Sequence, residues 1–482
     1  MVSEWNEYSL GEIIELIIDN RGRNPKSYSD SGIPVIDNYL IASEGEPNLC
    51  NVKRYIDDET YKSFIRKYNR AGDVLLTLVG NGFGKVAVSP TEKCIIIQNT
   101  IGLRCKKNFD NSYLYFLLKN NRESLINLNR GAAQPSIKVG DVLGLRFKFP
   151  NYEQQKRIGE ILLKLDNKIQ LNRQTNQTLE NMAQALFKSW FVDFDPVIDN
   201  ALAAGNDIPD ALQKRAEQRR ALQTLRHSRE GGNPESSVDP RLRGDDGVYQ
   251  LPEAIRQLFP ASFVFDAEMG WIPEGWEVGS LDRLIKLTGG GTPKTSIDEY
   301  WSGDIPWFSV VDAPNDSDVF VIDTEKHVTQ LGIDNSSTKL LRVGTTIISA
   351  RGTVGKCAMV ANPMTMNQSC YAVNGSEGVS DEFVYYLLRY QVSDLQQRSH
   401  GSVFSTITRD TFKSISMPFS GGELTQCFSE VVKPFFNKIL ANSKNELELA
   451  KLRDTLLPKL ISGELRIPEA QQQTEAVLTR GH

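Results

Sequence analysis

Two glycine–lysine stretches are the residues of this chain best suited to chemistry: VGNGFGKV at Val79–Val86 and ARGTVGKC at Ala350–Cys357, each directly after a short apolar run. A loop of this composition can wrap a phosphate in backbone amides and reach it with a lysine. The phosphate-binding P-loop also demands a glycine at its head, and after the lysine a Ser or Thr whose hydroxyl binds magnesium. Val79 and Ala350 occupy the first of these positions, Val86 and Cys357 the second. GNGFG also fails as a dinucleotide or methyl-donor loop, because no strand–loop–helix unit with a later ribose-binding acid accompanies it. Gly82, Gly84, Gly352 and Gly355 therefore read as turn residues between strands, where the missing Cβ permits positive φ or close backbone approach. Lys85, Arg351 and Lys356 are left projecting from tight loops, either into solvent or toward a phosphate or base edge.

Other catalytic patterns are missing. Without a Pro-Pro dipeptide the Asn/Asp-Pro-Pro-aromatic signature of an amino-methyltransferase cannot form, and neither Gly-x-Ser-x-Gly nor His-Glu-x-x-His occurs. PDALQK (Pro209–Lys214) comes nearest to an acid-and-lysine nuclease pattern but lacks the second acid that metal-assisted hydrolysis needs. The six cysteines (Cys50, Cys94, Cys105, Cys357, Cys370, Cys427) never fall at CxxC spacing, and His227, His327, His400 and His482 are scattered. Reduced structural thiols and no metal site are expected. A formal charge of -5 argues against nonspecific polyanion binding but leaves room for a local basic face. Apolar runs such as Val74–Val79 and Cys94–Ile97 are far shorter than the roughly 20 residues that cross a bilayer. MVSEWNEYSL lacks the basic-then-apolar order of a secretory signal, so a cytoplasmic protein without membrane contact is expected.

The elements that must position these loops occur twice. SYLYFLL (Ser112–Leu118) matches EFVYYLL (Glu382–Leu388), GAAQPSI (Gly131–Ile137) matches GSVFSTI (Gly401–Ile407), and Asn167-Lys168-Ile169 recurs as Asn437-Lys438-Ile439, all about 270 residues apart. RGRNPK (Arg21–Lys26) lies over GGGTPK (Gly289–Lys294), and GIPV (Gly32–Val35) over DIPW (Asp304–Trp307). Two copies make a duplicated unit rather than a solenoid. Each copy opens with short β-type runs between Gly, Pro, Asn and Asp, among them DVLLTLV, KCIIIQNTIGLRC, TTIISA and FVIDT. Residues 113–129 and 383–397 then carry apolar residues at helical spacing and should pack on the sheet.

Each copy ends on a heptad seam. The first runs Ile158, Leu162, Leu165, Ile169, Asn172, Asn176, Leu179, Ala183, Leu186, Trp190; the second runs Phe428, Val432, Phe435, Ile439, Asn442, Glu446, Leu449, Arg453, Leu456, Leu460. These are either two amphipathic helices on separate cores or partners in one coiled coil, with Asn172 and Asn442 setting register. Copies related by a two-fold would pair their helices antiparallel, with the β domains at opposite ends. Residues 158–186 would extend about 43 Å, comparable with the roughly 34–36 Å between successive major-groove faces of DNA.

The chain resembles the specificity (S) subunit of Type I restriction-modification systems. The resemblance rests on LFKSWFVDFDPV (Leu186–Val197), MGWIPEGW (Met269–Trp276), GGGTPKTSIDEYWSGDIPWFSVVD (Gly289–Asp312), ISARGTVGK (Ile348–Lys356) and LRDTLLPKLISGEL (Leu452–Leu465). It implies an α+β protein in which two β-rich target recognition domains are separated by two long helices forming an antiparallel coiled coil. The expected layout is a first recognition domain at 1–150, spacer helix at 151–198, linker at 199–270, second recognition domain at 271–422, spacer helix at 423–467 and flexible tail at 468–482. Each domain would read one half of a split, asymmetric double-stranded DNA target. Catalysis would belong to two methyltransferase (M) subunits and to restriction (R) subunits that use S-adenosylmethionine, ATP and magnesium; no cofactor is expected in this chain. Candidate DNA contacts are Arg21, Arg23, Asn24, Lys26, Lys85, Gln134, Ser136 and Lys138 in the first copy. In the second they are Thr292, Lys294, Trp301, Trp307, Arg351, Lys356, Ser402, Phe404, Ser405 and Thr406. Arg and Lys address guanine or phosphate, Asn and Gln adenine, and aromatics wedge or stack; Trp301 and Trp307 serve a core equally well. The coil flanks and the aromatic end FKSWFVDF are the expected docking surface for M subunits. A self-sufficient methyltransferase or nuclease, and a structural protein with paired protein-binding heads, are the competing readings.

Residues 199–270 differ in composition. KRAEQRRALQ offers Lys214, Arg215, Arg219 and Arg220, with Arg226 and Arg229 beyond it, as a solvated linker or as phosphate contacts. RHSREGGNPESSVDPRLRGDDG is nearly free of apolar residues. Arg226-His227-Ser228-Arg229 can be coded so that its reverse complement nearly encodes Arg243-Gly244-Asp245-Asp246, the mark of a palindromic repeat translated within a tolerant loop. Reading the gene tests this: an inverted repeat is expected across these codons, and codons that form none discard the insertion.

Overall fold

A computed structural model describes residues 5–22, 25–41, 45–80, 82–130, 135–229, 251–314, 318–376, 378–399 and 406–479. The chain divides into two compact units, Met1–Arg173 with Lys444–His482, and Gln174–Ser443. Both seams form long helices, Tyr152–Phe191 and Gly422–Ser462. Both helices run through the division, so each unit contains a stretch of each. Among the described residues no helix is long and apolar enough to cross a membrane.

In the first unit a four-stranded antiparallel sheet has the order Ile14–Ile18, Thr100–Cys105, Val74–Thr77, Val86–Val88. A three-stranded sheet places Ile33–Ile36 antiparallel to Tyr55–Ile56 and parallel to Ile95–Ile96. The run KCIIIQNTIGLRC is therefore divided between two sheets. The chain crosses at Gln98, whose φ of 62° lies in the left-handed region. The helix Asn111–Asn120 starts at Asp110, whose carboxylate accepts the Tyr113 N–H at 2.9 Å. Tyr113 through Leu118 are all buried, and a helix apolar all round must be covered all round. Sheet residues Val74, Leu76, Ile101 and Leu103 share one core with it, as do Leu162, Leu165, Ile169, Leu449, Leu456 and Leu460 of the long helices.

The second unit repeats this plan with one strand added. Ile285–Gly289, Cys370–Gly375, Thr346–Ser349 and Cys357–Val360 form the larger sheet, to which Phe320–Val321 adds a parallel edge strand, shorter than FVIDT promised. Trp301–Phe308 lies antiparallel to His327–Val328 and parallel to Thr365–Met366. The buried helix is Asp381–Ser399, with Phe383 through Leu388 enclosed. Its neighbours in the core are aromatic and aliphatic residues of the long helices and the sheet, so polar groups entering it need partners.

Within each unit the two long helices run antiparallel, since the number of the partner falls as the chain advances. In the first unit Arg453 Nη1 donates to Asp166 Oδ1 at 2.7 Å and Asn172 Nδ2 to Asn445 Oδ1 at 2.9 Å. In the second, Asn442 Nδ2 donates to Asn176 Oδ1 at 2.8 Å, while Trp190 packs edge-on against Phe428. Seam residues Ile158, Leu162, Leu165, Ile169, Ala183, Phe428, Val432, Ile439, Leu449 and Leu456 are buried; Leu179, Leu186 and Phe435 are half-buried, with Phe436 turned in beside the last. The buried asparagines are thus hydrogen-bonded across the pair, as a register-setting polar layer requires.

Three expectations need correction. The segment 468–482, read as a flexible tail, contains the helix Ile467–Leu478, whose Ala470 and Thr474 are buried. The linker is partly folded: helices Asp195–Ala204 and Asp210–Arg229 pack on each other through Ile198, Ala201, Ile208 and Ala216. Arg215 binds Asp195 at 2.7 Å and Arg219 binds Asp199, so these cations are held by carboxylates rather than solvated. Of the expected inserted repeat, Arg226–Arg229 end the helix Asp210–Arg229, and residues 230–250 lie outside the described residues. FKSWFVDF is no docking surface, because Phe187, Trp190, Phe191 and Phe194 are buried against Phe259, Trp276, Phe383 and Phe428.

A buried carboxylate secures the core helix Asp381–Ser399 of the second unit. Glu180, 1% exposed, accepts from Tyr386 Oη at 2.7 Å and Arg389 Nη1 at 2.6 Å. Burial pushes its carboxyl above the ordinary value, against the pull of Arg389 and the Tyr386 hydroxyl. Glu180→Ala removes the carboxylate that Tyr386 and Arg389 share and should destabilise the fold by about 3–5 kcal/mol. Glu180→Gln, which keeps an acceptor, should lose clearly less; chemical denaturation of the two variants measures the difference, and equal losses would refute the charge pairing.

Candidate nucleic-acid interface

Strand Val74–Thr77 ends beside the start of Thr100–Cys105, and Thr346–Ser349 ends beside the start of Cys370–Gly375. Loops leaving and entering these strands therefore meet at one end of each sheet. Leu78 donates its N–H to Asn99 O at 2.8 Å and accepts from Ile137 N–H at 2.9 Å. Ala350 does the same with Ser369 O at 2.8 Å and Ile407 N–H at 2.9 Å. One residue on, Val79 faces Ser136 and Arg351 faces Thr406 in isolated antiparallel bridges.

The glycine–lysine loops close identically. Thr77 N–H donates to Lys85 O and Gly84 N–H to Thr77 O, at 2.9 and 2.8 Å. Ser349 N–H donates to Lys356 O and Gly355 N–H to Ser349 O, both at 2.9 Å. Each loop joins strand to strand, not strand to helix, which agrees with the failed P-loop test. Gly84 and Gly355 adopt φ of 74° and 90°, and a Cβ on Gly355 would come within 2.7 Å of Val392 Cγ1. Glycine is thus required there for both conformation and space.

A fourth loop joins the cluster. Asn20 Nδ2 donates to Ile96 O at 3.2 Å and Gly291 N–H to Met366 O at 2.9 Å, tying RGRNPK and GGGTPK to the strand before the crossover in their own units.

Lys26 and Lys138 are exposed; Lys85 and Ser136 are half-buried, with the Ser136 N–H on Asn129 Oδ1 at 2.9 Å. Arg21 is already bonded to both Asp19 oxygens, at 2.9 and 2.7 Å, and its hydrogen bonds hold the Asp19 carboxyl below the ordinary range. In the second unit Lys294 and Arg351 are exposed, Lys356 and Thr406 half-buried, and Thr292 Oγ1 donates to Gln368 Oε1. Arg23, Asn24, Gln134, Ser402, Phe404 and Ser405 lie outside the described residues. Trp307 belongs to the core side of its two expected roles: it is 8% exposed and its Nε1–H is spent on Gly291 O at 3.0 Å. Trp301 is half-buried, edge-on to Trp307 at 5.1 Å, with Nε1–H on Lys294 O at 3.2 Å. The pair braces the GGGTPK loop.

Two features escaped the sequence reading. Asn38 bridges the glycine–lysine loop to the sheet, donating to Val79 O at 2.9 Å and accepting from Thr100 Oγ1 at 3.1 Å. Arg54 lies 4.5 Å over the Tyr28 ring, binds both oxygens of Asp37, and donates through Nη2 to Gln98 Oε1 at 3.3 Å. The Asp37 hydrogen bond holds the guanidinium above its ordinary value. Gln98 could have been found, since Gln368 stands at the matching place in the second copy.

Burial pushes the Cys105 and Cys370 thiols up to about 12, far from thiolates at neutral pH. Among the described residues no three His, Cys, Asp or Glu side chains gather as a metal site. What the loops offer is hydrogen-bond donors, acceptors and cations on a rigid backbone scaffold.

Comparison with known proteins agrees with that geometry. The family model described as "Type I restriction modification DNA specificity domain" matches twice, over residues 2–181 and 273–449. The chain is 29% identical over 483 residues to the Type I restriction enzyme HindI specificity subunit of Haemophilus influenzae, covering 96% of this chain and 100% of that protein. It is 30% identical over 186 residues to the MjaIX specificity subunit of Methanocaldococcus jannaschii, covering 38% of this chain and 43% of that one. In fold it is similar to the crystal structure of the Type I restriction-modification S subunit from M. genitalium, with TM-score 0.53, 14% identity, and 95% and 96% of the two chains covered. Because the family match falls on both copies and takes in both loop clusters, the chain belongs to the family of Type I restriction-modification specificity subunits.

Proposed function

We propose that this chain is the DNA-recognition subunit of a Type I restriction-modification complex and that each β-rich unit reads one half of a split, asymmetric duplex target. The observation that carries the reading is the duplicated loop cluster: two copies share one hydrogen-bonded backbone frame yet present different side chains, RGRNPK against GGGTPK and GAAQPSI against GSVFSTI. A common frame with unlike side chains suits two half-sites of unlike sequence. Exposed Lys26, Lys138, Lys294 and Arg351 supply phosphate contacts that position each unit, and neighbouring polar side chains meet base edges. Covalent linkage raises the effective concentration of the second contact once the first is made, so the bipartite site binds far more tightly than either half.

In this reading residues 1–150 and 271–422 are the target recognition domains, the paired helices set the unread gap, and methylation and ATP-driven cleavage are performed by M and R subunits holding S-adenosylmethionine, ATP and magnesium. With the aromatic end enclosed, the outer flanks of the helices are left as the M-subunit contact.

Methylation-sensitive sequencing of DNA exposed to the assembled complex should return a two-part motif separated by unspecified bases. Lengthening both long helices by matched turns should widen that gap and leave both half-sites unchanged. Enrichment of no sequence would overturn recognition, and an unaltered gap would overturn the ruler role of the helices.

A further inference from the structure

The glutamine at each sheet crossover is the most unusual residue of each loop cluster. Gln98 lies between Ile95–Ile96 of one sheet and Thr100–Cys105 of the next; Gln368 lies between Thr365–Met366 and Cys370–Gly375. Their immediate neighbours Asn99 and Ser369 accept from Leu78 and Ala350, so both glutamines stand at the centre of the converging loops. Gln98 holds φ at 62°. A residue with a side chain pays strain in that region, which persists where the surroundings over-determine it and clusters at functional sites.

Each side-chain carbonyl accepts from a different kind of partner. Gln98 Oε1 accepts from Arg54, itself clamped by Asp37 and the Tyr28 ring; Gln368 Oε1 accepts from Thr292. A guanidinium can only donate, so the Gln98 oxygen must face it and the NH2 must point away. Each carbonyl keeps a second lone pair, and neither Nε2 has a partner among the described residues. Gln98 is half-buried and Gln368 exposed. A donor and an acceptor side by side, held against rotation, are complementary to adenine in the major groove, where N7 accepts and N6–H2 donates. Guanine offers two acceptors on the same edge and would oppose the carbonyl.

We propose that Gln98 and Gln368 are specificity-determining residues, each reading one adenine in the half-site addressed by its own unit, with Arg54 and Thr292 as positioning residues. The inference rests on the two-half reading above and adds to it which residue reads which base.

The test is methylation-sensitive sequencing with complexes carrying single substitutions. Gln98→Gly removes the amide while relieving the left-handed backbone, so folding is retained; Gln368→Ala serves the second unit. Each should relax one adenine position in its own half, with discrimination there falling about ten-fold or more, and leave the other half intact. Gln98→Glu, an acceptor only, should shift preference at that position toward cytosine. An unchanged motif in all three variants, or a uniform loss across every position with thermal stability preserved, overturns the proposal in favour of a scaffolding or phosphate role. The unsubstituted complex separates the two readings: if it methylates no split target both fall, whereas a split target indifferent to these substitutions sinks only this one.

Discussion

In each unit the sheet is tied to the long helices through a carboxylate that has left water. Asp166, 3% exposed, accepts from Arg453 at 2.7 Å and from Tyr115 Oη at 3.2 Å, with Lys119 Nζ at 3.5 Å. Glu180 plays that part for Tyr386 and Arg389. An ionised carboxylate is costly to bury unless its oxygens are met by donors in good geometry. That demand makes the contact directional: an apolar seam tolerates sliding or rotation, whereas a carboxylate with two or three placed donors accepts one orientation. Tyr115 and Lys119, and likewise Tyr386 and Arg389, lie on the helix that fills the unit's core, so the orientation of that helix on the spacer pair is set by these few bonds. The loops at the sheet end inherit their placement from it.

Above this anchor the frame is made of backbone. Leu78 and Ala350 differ in side-chain size, yet they make the same two main-chain hydrogen bonds, and the bridges Val79–Ser136 and Arg351–Thr406 are equivalent. Main-chain groups are indifferent to the residue that carries them, and leaving them unpaired in a buried setting is costly. A frame so built survives replacement of the side chains it displays. Trp301 and Trp307 show the exception, since the second unit supports its GGGTPK loop from below with an indole pair where the first has Arg54, Asp37 and Tyr28 near the corresponding turn.

The duplication, the strands and the long helices were legible because each has a period or a repeat. Most of the expected seam residues are buried, but Leu179, Leu186 and Phe435 are half-buried beside the buried Phe187 and Phe436, and the partners of the polar seam members leave no mark in the sequence. Asp166 and Glu180 sit off the heptad seam, where an acid ordinarily faces water, and only tertiary packing brings Arg453 or Arg389 to them. The division of KCIIIQNTIGLRC between two sheets was hidden for a related reason: Gln98-Asn99 interrupts an apolar run without Gly or Pro to announce a turn. FKSWFVDF was misjudged because an aromatic cluster at a helix end reads the same whether it awaits a partner protein or meets Phe259 and Trp276 from later in its own chain. Among the loop residues, sequence could not separate Trp307, whose indole N–H is consumed internally, from side chains that point outward.

The acidic balance of the chain raises an apparent objection to a DNA-binding role, and the distribution of its charges answers it. Acids are concentrated where cations neutralise them: Asp37 with Arg54, Asp73 with Arg104 at 2.6 Å, Asp195 with Arg215, Asp199 with Arg219. Such pairs are close to neutral beyond a Debye length of roughly 8–10 Å. The exposed lysines and arginine on the loops, Lys26, Lys138, Lys294 and Arg351, are by contrast outward-facing. Attraction to a polyphosphate depends on the potential at the face it meets rather than on the sum over the whole chain. On the proposed reading, a modest excess of acid elsewhere would weaken nonspecific adhesion to DNA and leave base contacts to decide where the protein stays.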